Sequence, residues 1–207
     1  MLQLAPPIDN ARVLLHSCCA PCSGAILECM LANGIRPTVF FSNSNIAPYG
    51  EYNIRRDEVV RYCQSQGLEV VDDIYEHEAW LDFALHRQNG LADNALALSP
   101  ERGARCMECF RFRMARAANY AASHGYDLLT TSLASSRWKD LEQVNAAGEE
   151  AVNSVRVLYQ SRGQACGLLY WPQNWRKGGL QPRRSEIIKE QNFYNQSYCG
   201  CEFSERH

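Results

Sequence analysis

The segment at residues 11–34, ARVLLHSCCAPCSGAILECMLANG, decides the fold of this chain. Val13–Ser17 is a short apolar run that predicts a strand, and it leads into a turn rich in cysteine. Ala25–Ala32 has helical character and ends at an Asn-Gly stop signal. The segment therefore predicts one strand–turn–helix unit, with its cysteines at the carboxyl end of the strand.

Strands and helices alternate along the rest of the chain. Periodicity and stop signals predict further helices at 51–65, 78–86, 109–124, 138–152 and 185–192. Runs of apolar and β-branched residues predict further strands at 37–42, 68–75, 126–132 and 155–159. Because strands that alternate with helices form right-handed crossover units, we expect an α/β fold with a parallel sheet covered on both faces.

The length of the chain is suited to one hydrophobic core. It has 207 residues, of which 46% are hydrophobic, and we expect a single domain over residues 1–207. Residues 161–184 are rich in Gly, Pro, Gln and aromatic residues without clear periodicity, which predicts an ordered basic and aromatic loop within the domain. Residues 185–207 are expected to form a helix and a Cys-x-Cys segment, as a C-terminal functional extension.

The sequence predicts a cytoplasmic protein. Its opening, MLQLAPPIDN, lacks the charged start and apolar stretch of a secretory signal, and nowhere do about eighteen apolar residues run together as in a membrane span. We therefore expect no membrane partner. Because the cytoplasm keeps structural thiols reduced, the ten cysteines indicate metal or redox chemistry rather than a disulfide framework.

Charge is unevenly distributed, although the net charge is only −2. Residues 69–82 contain six acidic and no basic side chains, whereas residues 156–184 contain six basic and no acidic ones. The basic stretch also carries four aromatic residues: Tyr159, Tyr170, Trp171 and Trp175. Such interleaving suits contact with phosphates and stacking on an unpaired base, and a solvated surface loop with partly buried aromatics is the alternative.

Two groups of cysteines lie where chemistry is expected. The motif HSCCAPCS places Cys18, Cys19 and Cys22 at the carboxyl edge of the predicted sheet, where open α/β folds bind their ligands. The motif RCMECFRFR places Cys106 and Cys109 at the start of a predicted helix, where the helix dipole favours the thiolate form. Both groups are therefore candidate metal ligands.

The spacing of these cysteines leaves the metal open. Cys19 and Cys22 with the later pair form a CxxC…CxxC set that is typical of zinc sites. Cys18 and Cys19 with the same pair suit a larger cubane, since adjacent cysteines fit its separated iron corners better than a single tetrahedral ion. Unligated thiols are the third interpretation.

A third group, YCGC, places Cys199 and Cys201 on either side of a glycine that can take unusual backbone angles. A disulfide between them would close a very small, strained ring, which suits electron transfer better than structural stabilisation. Further metal ligation is the alternative. The remaining cysteines stand apart and are expected to be small core hydrophobes: Cys29, Cys63 and Cys166.

Six ordered blocks of sequence resemble one family. They are HSCCAPCS, NIAPYGEYNIRR, ERGARCMECFRFR, SSRWKD, NWRKGG and YNQSYCGC, and they extend from about Leu14 to Ser204. In this combination and order, the chain resembles the QueH family of epoxyqueuosine reductases. The resemblance implies a Rossmann-like fold of the HUP type.

The same resemblance implies an oxidoreductase that deoxygenates epoxyqueuosine to queuosine at the wobble position of tRNA, the last step of queuosine biosynthesis. The implied partners are tRNAs with a GUN anticodon, those for Tyr, His, Asp and Asn, together with an electron donor that the sequence does not identify. The implied cofactors are a [4Fe–4S] cluster and a second, mononuclear iron close to it.

Site residues follow from the matching motifs. The resemblance implies cluster ligation by Cys18, Cys19, Cys106 and Cys109. Cys22 is the candidate ligand of the second iron, and Cys199 with Cys201 would form a redox-active disulfide, so that these three are the expected catalytic residues. Deoxygenation of an epoxide requires two electrons and a site that accepts the oxygen, and this inventory supplies both.

Polar residues near the predicted carboxyl edge are candidates for substrate binding. Those after the second strand could hydrogen-bond the cyclopentane diol or a base edge: Asn45, Glu51, Tyr52 and Arg55. A helix-capping and surface network is the equal alternative. Lys177 and Arg184, in a basic loop that contains glycine, suit contact with a phosphate or a nucleobase.

Several basic side chains near the cysteines allow two interpretations. His16 either hydrogen-bonds a cluster sulfur or is a core histidine with its polar atoms satisfied. The arginines that follow the second cysteine pair either tune the cluster and bind tRNA or are solvated helix residues: Arg111, Arg113 and Arg116.

Two other functions compete with the reductase. An ATP-dependent tRNA-thiolation enzyme shares the HUP-like architecture, but HSCCAPCS stands where its SGGxDS phosphate loop is expected. A zinc-stabilised RNA-binding module would use four cysteines as ligands: Cys19, Cys22, Cys106 and Cys109. That module predicts a colourless protein without redox activity.

Overall fold

In the computed structural model, which describes residues 2–204, β1 (Val13–Ser17) lies at the centre of a parallel sheet. All five of its residues are buried, as expected for a central strand covered on both faces. The sheet has the strand order 3-2-1-4-5, and the other strands are β2 (Thr38–Phe41), β3 (Val70–Asp72), β4 (Leu128–Thr131) and β5 (Leu169–Tyr170). The predicted α/β, Rossmann-like fold is confirmed.

Helices cover the sheet in two groups. Over the described residues they are α1 (Ala20–Ala32), α2 (Tyr49–Ser65), α3 (His77–Ala84), α4 (Asn94–Ala97), α5 (Ala104–Ser123), α6 (Leu141–Ser161) and α7 (Leu180–Glu190). α1 packs against α2 and α7, whereas α5 packs against α3 and α6. Right-handed crossovers place these two groups on opposite faces of the sheet.

The order of the strands creates a switch point between β1 and β4. The chain runs from β1 outward to β2 and β3 on one side, and then returns to β4 on the other side of β1. His16 pairs with Thr131, so that both strands leave the sheet at the same level. Open α/β sheets bind ligands in the crevice at such a point. A 3-10 turn at Ser132–Ser135 follows β4 there.

The strand predicted at 155–159 is wrong, because these residues continue α6. The run VRVLY is rich in β-branched residues, but its burial follows a helical period that begins earlier in α6. The buried positions are Val144, Ala147, Gly148, Ala151, Val152 and Val155. Val157 is 65% exposed, because it lies on the side of the helix that faces away from the core. The real fifth strand is the two-residue β5.

The loop predicted at 161–184 is more structured than expected. It includes β5 and the beginning of α7, so Arg184 lies on a helix and not in a loop. Trp171 and Trp175 are buried, and the indole nitrogen of Trp175 donates to the carbonyl of Thr131 at 3.1 Å. These two rings therefore pack in the core and are not available for stacking on a base.

The other predicted elements are present with shifted ends. α1 begins at Ala20 and not at residue 25, which places Cys22 within its first turn. α6 begins three residues later than predicted, with the Asp140 carboxylate as its N-cap, so Trp138 lies before the helix. Of the predicted domain at 1–207 and extension at 185–207, residue 1 and residues 205–207 lie outside the described part of the chain.

Within residues 2–204, no helix combines the length and the apolar character that crossing a bilayer requires. The longest, α6, is amphipathic, since one side is buried and residues such as Val157 on the other are exposed.

Gly148 is required where α6 crosses β5. A Cβ atom at this position would lie 2.2 to 2.6 Å from ring atoms of Tyr170. The Tyr170 hydroxyl donates to Asn145 at 3.1 Å, so the ring is held and cannot easily yield. We expect Gly148→Ala to lower the free energy of unfolding by about 1–3 kcal/mol or more through overpacking.

Urea denaturation measures this change, with Gly50→Ala as the matched control. Gly50 also lies in a helix, but a Cβ atom there meets nothing within 4 Å. That control should be neutral or stabilising by up to about 1 kcal/mol, because alanine is the better helix former. Equal stability of the two variants would contradict the packing argument.

Candidate functional site

Three buried thiols lie together at the carboxyl end of β1. The sulfur atoms of Cys18, Cys19 and Cys22 are all within 4.8 Å of one another, and those of Cys18 and Cys19 are 3.8 Å apart. Cys18 and Cys19 occupy the turn after β1, and Cys22 lies on the first turn of α1. The structure thus brings the predicted first group of cysteines into one cluster.

The turn after β4 holds this cluster in place. The Ser132 hydroxyl accepts a hydrogen bond from the backbone N–H of Cys18 at 3.0 Å and donates to the Cys18 sulfur at 3.3 Å. The Ser135 hydroxyl donates to the carbonyl of Cys22 at 3.2 Å. Both hydroxyls come from the 3-10 turn that follows β4, so the switch point itself orients the thiols.

His16 is a core histidine with its polar atoms satisfied. It is fully buried, with Nδ1 2.8 Å from the Thr131 hydroxyl and Nε2 3.1 Å from the carbonyl of Ser42. Burial lowers the pKa of His16 to about 3, so the ring is neutral at pH 7. Of the two interpretations of His16, these contacts support that of a core histidine.

The three arginines after the second cysteine pair lie in different environments. Arg113 is buried and donates to the side chain of Asn43, whose amide in turn donates to the carbonyl of Ser17 at 2.9 Å. Arg111 and Arg116 form salt bridges with carboxylates closer to the surface. Arg113 is therefore the arginine that places a positive charge next to the thiols.

The second cysteine pair lies on the first two turns of α5, close to the start predicted for it. The expected effect of the helix dipole is outweighed by burial. Burial raises the pKa of Cys106 to about 11 and also raises the pKa of Cys109. Without a bound cation, both thiols therefore hold their protons at neutral pH.

Two adjoining cavities connect the cysteine groups. The thiol cavity, of about 50 Å³, is lined by the first cysteine cluster and by Cys199. The aromatic cavity, of about 30 Å³, is lined by Cys106, Cys109 and Cys201 together with aromatic rings, and Cys199 lines it too. Cys199 thus lies at the junction between the two groups.

Arg55 anchors the C-terminal segment at this junction. Its guanidinium donates to the carbonyls of Cys199 and Tyr198 at 2.8 and 3.3 Å, and it forms an ion pair of 2.6 Å with Glu51. Gly200 has a φ of 117°, and a Cβ atom there would lie 2.9 Å from Arg55. The expected unusual backbone at Gly200 is confirmed, and Cys199 and Cys201 are free thiols in this structure.

The protonation of the thiol cluster is uneven. Hydrogen bonds from Cys18 and Cys19 lower the pKa of Cys22 well below its ordinary value, against the opposing effect of burial. Burial raises the pKa of Cys19. Burial alone would lower the pKa of the Lys139 ammonium. The negative charge on nearby thiols, of which Cys199 contributes most, outweighs burial and raises this pKa. The hydrogen bonds within the cluster therefore favour the thiolate at Cys22, and the positive charge of Lys139 lowers the pKa of Cys22 further.

These donors fit a thiolate-bound metal centre. All are soft sulfur ligands, which select iron–sulfur clusters or zinc over hard cations. Among the described residues, the sulfur atoms that converge within 4.8 Å are those of Cys18, Cys19 and Cys22. Cys106 and Cys109 lie in the adjoining aromatic cavity. The assignment of four particular cluster ligands stays a prediction.

The predicted substrate residues lie in different places. Asn45, Arg55 and Arg184 line the thiol cavity. Glu51 pairs with Arg55, and the hydroxyl of Tyr52 donates to Asp72 at 2.8 Å. Lys177 is exposed in the turn before α7 and is not part of the cavity lining.

Lys139 and Trp138 are functional candidates that sequence reasoning missed. Both line the thiol cavity and the aromatic cavity. Their block, SSRWKD, is one of the six motifs, but its sequence predicts the start of a helix. The position of this block after β4 could have indicated a functional role, because it lies at the same edge of the sheet as the cysteines.

Fold and site together define a Rossmann-like α/β protein whose switch point carries a group of thiols able to ligate metal. A family model described as "Epoxyqueuosine reductase QueH" matches residues 13–207. The chain therefore belongs to the QueH family of epoxyqueuosine reductases.

Individual relatives agree over nearly the whole chain. The epoxyqueuosine reductase QueH of Haemophilus influenzae is 41% identical over 204 residues, which cover 99% of this chain and 76% of that protein. The protein of the same name from Acinetobacter baylyi is 40% identical, over 96% of this chain and 83% of its own length. That of Dehalococcoides mccartyi is 27% identical, over 94% and 92%.

Removal of the Arg55 guanidinium should release the C-terminal segment. Arg55→Met deletes charge-assisted hydrogen bonds worth about 1.5–3 kcal/mol each and leaves Glu51 buried without its cation. We expect hydrogen exchange at the amides of Ala47 and Gly200 to accelerate about 10- to 100-fold, because the amide of Ala47 donates to the carbonyl of Gly200.

Exchange measured by mass spectrometry tests this, with Arg61→Met as the matched control. Arg61 also donates to a backbone carbonyl, that of Gln191, but at an exposed site. The control should leave the exchange of both amides unchanged. The anchoring role is wrong if Arg55→Met exchanges at the wild-type rate.

Proposed function

We propose that this chain is an oxidoreductase that converts epoxyqueuosine to queuosine in tRNA. The observation that carries the proposal is the cluster of three buried thiols at the switch point of a chain that belongs to the QueH family. The substrates would be tRNAs with a GUN anticodon, those for Tyr, His, Asp and Asn. The reaction would take place in the cytoplasm.

A [4Fe–4S] cluster held by Cys18, Cys19, Cys106 and Cys109 is the proposed cofactor, with Cys22 as a ligand of a second iron. Bound there, these groups would supply electron transfer and a Lewis acid. The protein contributes the charge around them. The Lys139 ammonium and the Arg113 guanidinium stabilise thiolates in a site from which water is largely excluded.

The Cys199 and Cys201 thiols would supply the reducing equivalents. In the overall reaction both carbon–oxygen bonds of the epoxide break, a carbon–carbon double bond forms, and the oxygen leaves as water. The two thiols give up two electrons and two protons and become a disulfide, so that the reaction balances. An external two-electron reductant would then restore the dithiol. Cys199 suits this role because it lines both cavities.

The thiol cavity offers acceptors for the hydroxyl groups of the substrate. Asn45 Oδ1 and Gln196 Oε1 are buried and have no hydrogen-bond partner within residues 2–204. Both residues line the thiol cavity. An unpaired buried acceptor is unfavourable by about 1–3 kcal/mol, which a bound hydroxyl would relieve. Two such oxygens suit the two hydroxyls of the cyclopentane diol.

Anaerobic purification with metal and sulfide analysis, followed by an assay on epoxyqueuosine-containing tRNA, tests the function. We expect brown protein with iron and acid-labile sulfide, and conversion to queuosine-tRNA. Cys18→Ser should lose iron and more than about 100-fold of the activity, because a ligand is removed. Cys166→Ser, at a half-buried thiol outside both cavities, should stay within about twofold. Colourless protein with stoichiometric zinc would contradict the proposal.

Replacement of Cys201 tests the supply of electrons by the dithiol separately from the binding of iron. Cys201→Ser removes one thiol of the dithiol pair and cannot form the disulfide. In multiple turnovers with a physiological reductant, we expect at least about a 100-fold loss of rate, whereas iron content stays at the wild-type level. Full multiple-turnover activity of this variant would show that the dithiol takes no part. Cys166→Ser serves again as the control.

A further inference from the structure

The turn at residues 136–139, just before α6, is held in place by hydrogen bonds to its backbone carbonyls. The Arg176 guanidinium donates to the carbonyls of the first and last residues of the turn at 2.6 and 2.7 Å. The Arg102 guanidinium donates to the two carbonyls between them at 2.9 and 3.2 Å. All four carbonyls are therefore satisfied by two arginines that come from distant parts of the chain.

This clamped turn presents an exposed aromatic ring. Trp138 is 56% exposed, whereas the other three tryptophans are 0–4% exposed: Trp80, Trp171 and Trp175. A partly exposed indole on a backbone that is held at four carbonyls loses little conformational freedom when a ligand packs on it. The turn therefore has the properties of a preorganised stacking surface.

A cavity of about 410 Å³ lies beside the ring, and we call it the platform cavity. Over the described part of the chain, its lining includes Arg137, Trp138, Gln181, Arg184 and serine hydroxyls, and no carboxylate. Its volume falls within the range of about 300–1,000 Å³ typical of ligand sites. Guanidinium, amide and hydroxyl donors around an aromatic ring are the chemistry that proteins use for single-stranded nucleic acid.

The two arginines of the platform cavity have no ion-pair partner among the described residues. Within residues 2–204, neither Arg137 nor Arg184 forms a salt bridge. The neighbouring Arg183, in contrast, pairs with Glu28 and with two carboxylates of its own helix. The positive charge at the cavity is thus available to a phosphate.

The platform cavity adjoins the thiol cavity. Ser136, Trp138 and Arg184 line both. A strand whose modified nucleotide enters the thiol cavity would therefore lay its neighbour beside Trp138. We propose that the platform cavity binds a nucleotide that flanks the modified one in the anticodon loop, with its base stacked on the Trp138 indole and its phosphate on Arg137 or Arg184. This inference rests on the proposed function for its choice of RNA.

The binding test uses the anaerobic holoenzyme and a fluorescently labelled anticodon stem–loop with guanine at the wobble position. Stacking on an aromatic side chain changes affinity by about 5- to 150-fold per base. We expect Trp138→Ala to raise the Kd at least about fivefold, and Trp138→Phe to retain most of the affinity. Phe83→Ala, which removes another exposed aromatic ring outside the cavity lining, should bind as the wild type does.

Two further readouts distinguish stacking from a general structural defect. A 2-aminopurine base placed next to the wobble position should be quenched on binding to the wild type and should regain fluorescence with Trp138→Ala. Arg137→Gln should reduce the slope of log Kd against log salt by about 0.7, the value for one phosphate contact on a single strand. The same Kd, quenching and slope in these variants as in the wild type would overturn the inference.

The outcomes separate this inference from the proposed function. If the wild type reduces epoxyqueuosine-tRNA but Trp138→Ala binds RNA with unchanged Kd, the platform is wrong and the function stands. If Trp138→Ala weakens RNA binding while the wild type has no reductase activity, the platform stands and the function is wrong. Loss of affinity in Phe83→Ala equal to that in Trp138→Ala would also overturn the platform.

Discussion

The parallel pairing of β1 with β4 is the constraint on which the rest of this structure depends. Because the two strands end at the same level, the turn after each one meets the other in the same crevice. The turn after β1 carries the thiols, and the segment after β4 carries the hydroxyls and a cation. The contact of Ser132 with Cys18 joins them directly. A shift of one residue in this register would separate the thiols from the groups that orient them.

Electrostatic balance is the second condition of the site. Buried thiols resist ionisation, and the protein opposes this only locally, with the ammonium of Lys139 and the guanidinium of Arg113. The result is a group of sulfurs of unequal acidity, in which the pKa of Cys22 is lowered and that of Cys19 is raised. Soft metals bind thiolates, so the site is suited to bind such a metal while it remains shielded from bulk water.

Much of this arrangement was predictable from residues close together in sequence. The apolar run at Val13–Ser17 and the cysteines after it located both the central strand and the thiol group, because neighbours in sequence determine both. The fifth strand was not predictable in the same way. Residues 155–159 have strand-like composition, and only the packing of α6 over its whole length shows that they are helical. Tertiary context decided that element.

The parts of the site that sequence reasoning missed all depend on long-range contacts. Nothing local to Trp138 indicates that two arginines from other blocks hold its turn. The role of Arg55 in anchoring Cys199 likewise joins residues far apart in the chain. Motif recognition found these blocks, but the assignment of roles within them required the fold. The two tryptophans of the basic stretch show the reverse case, because the composition of that stretch suits stacking on a base whereas both rings are buried in the core.

The anchoring of Cys199 by Arg55 also constrains the order in which the protein can mature. Sulfur atoms from the first strand and from the C-terminal segment meet only after the sheet and helices between them have formed, and such non-local contacts close late in folding. A partly folded chain would expose its early thiols without their cations, open to oxidation and to the wrong metal. Any metal that these thiols bind therefore meets all of its sulfur neighbours together only in the folded chain.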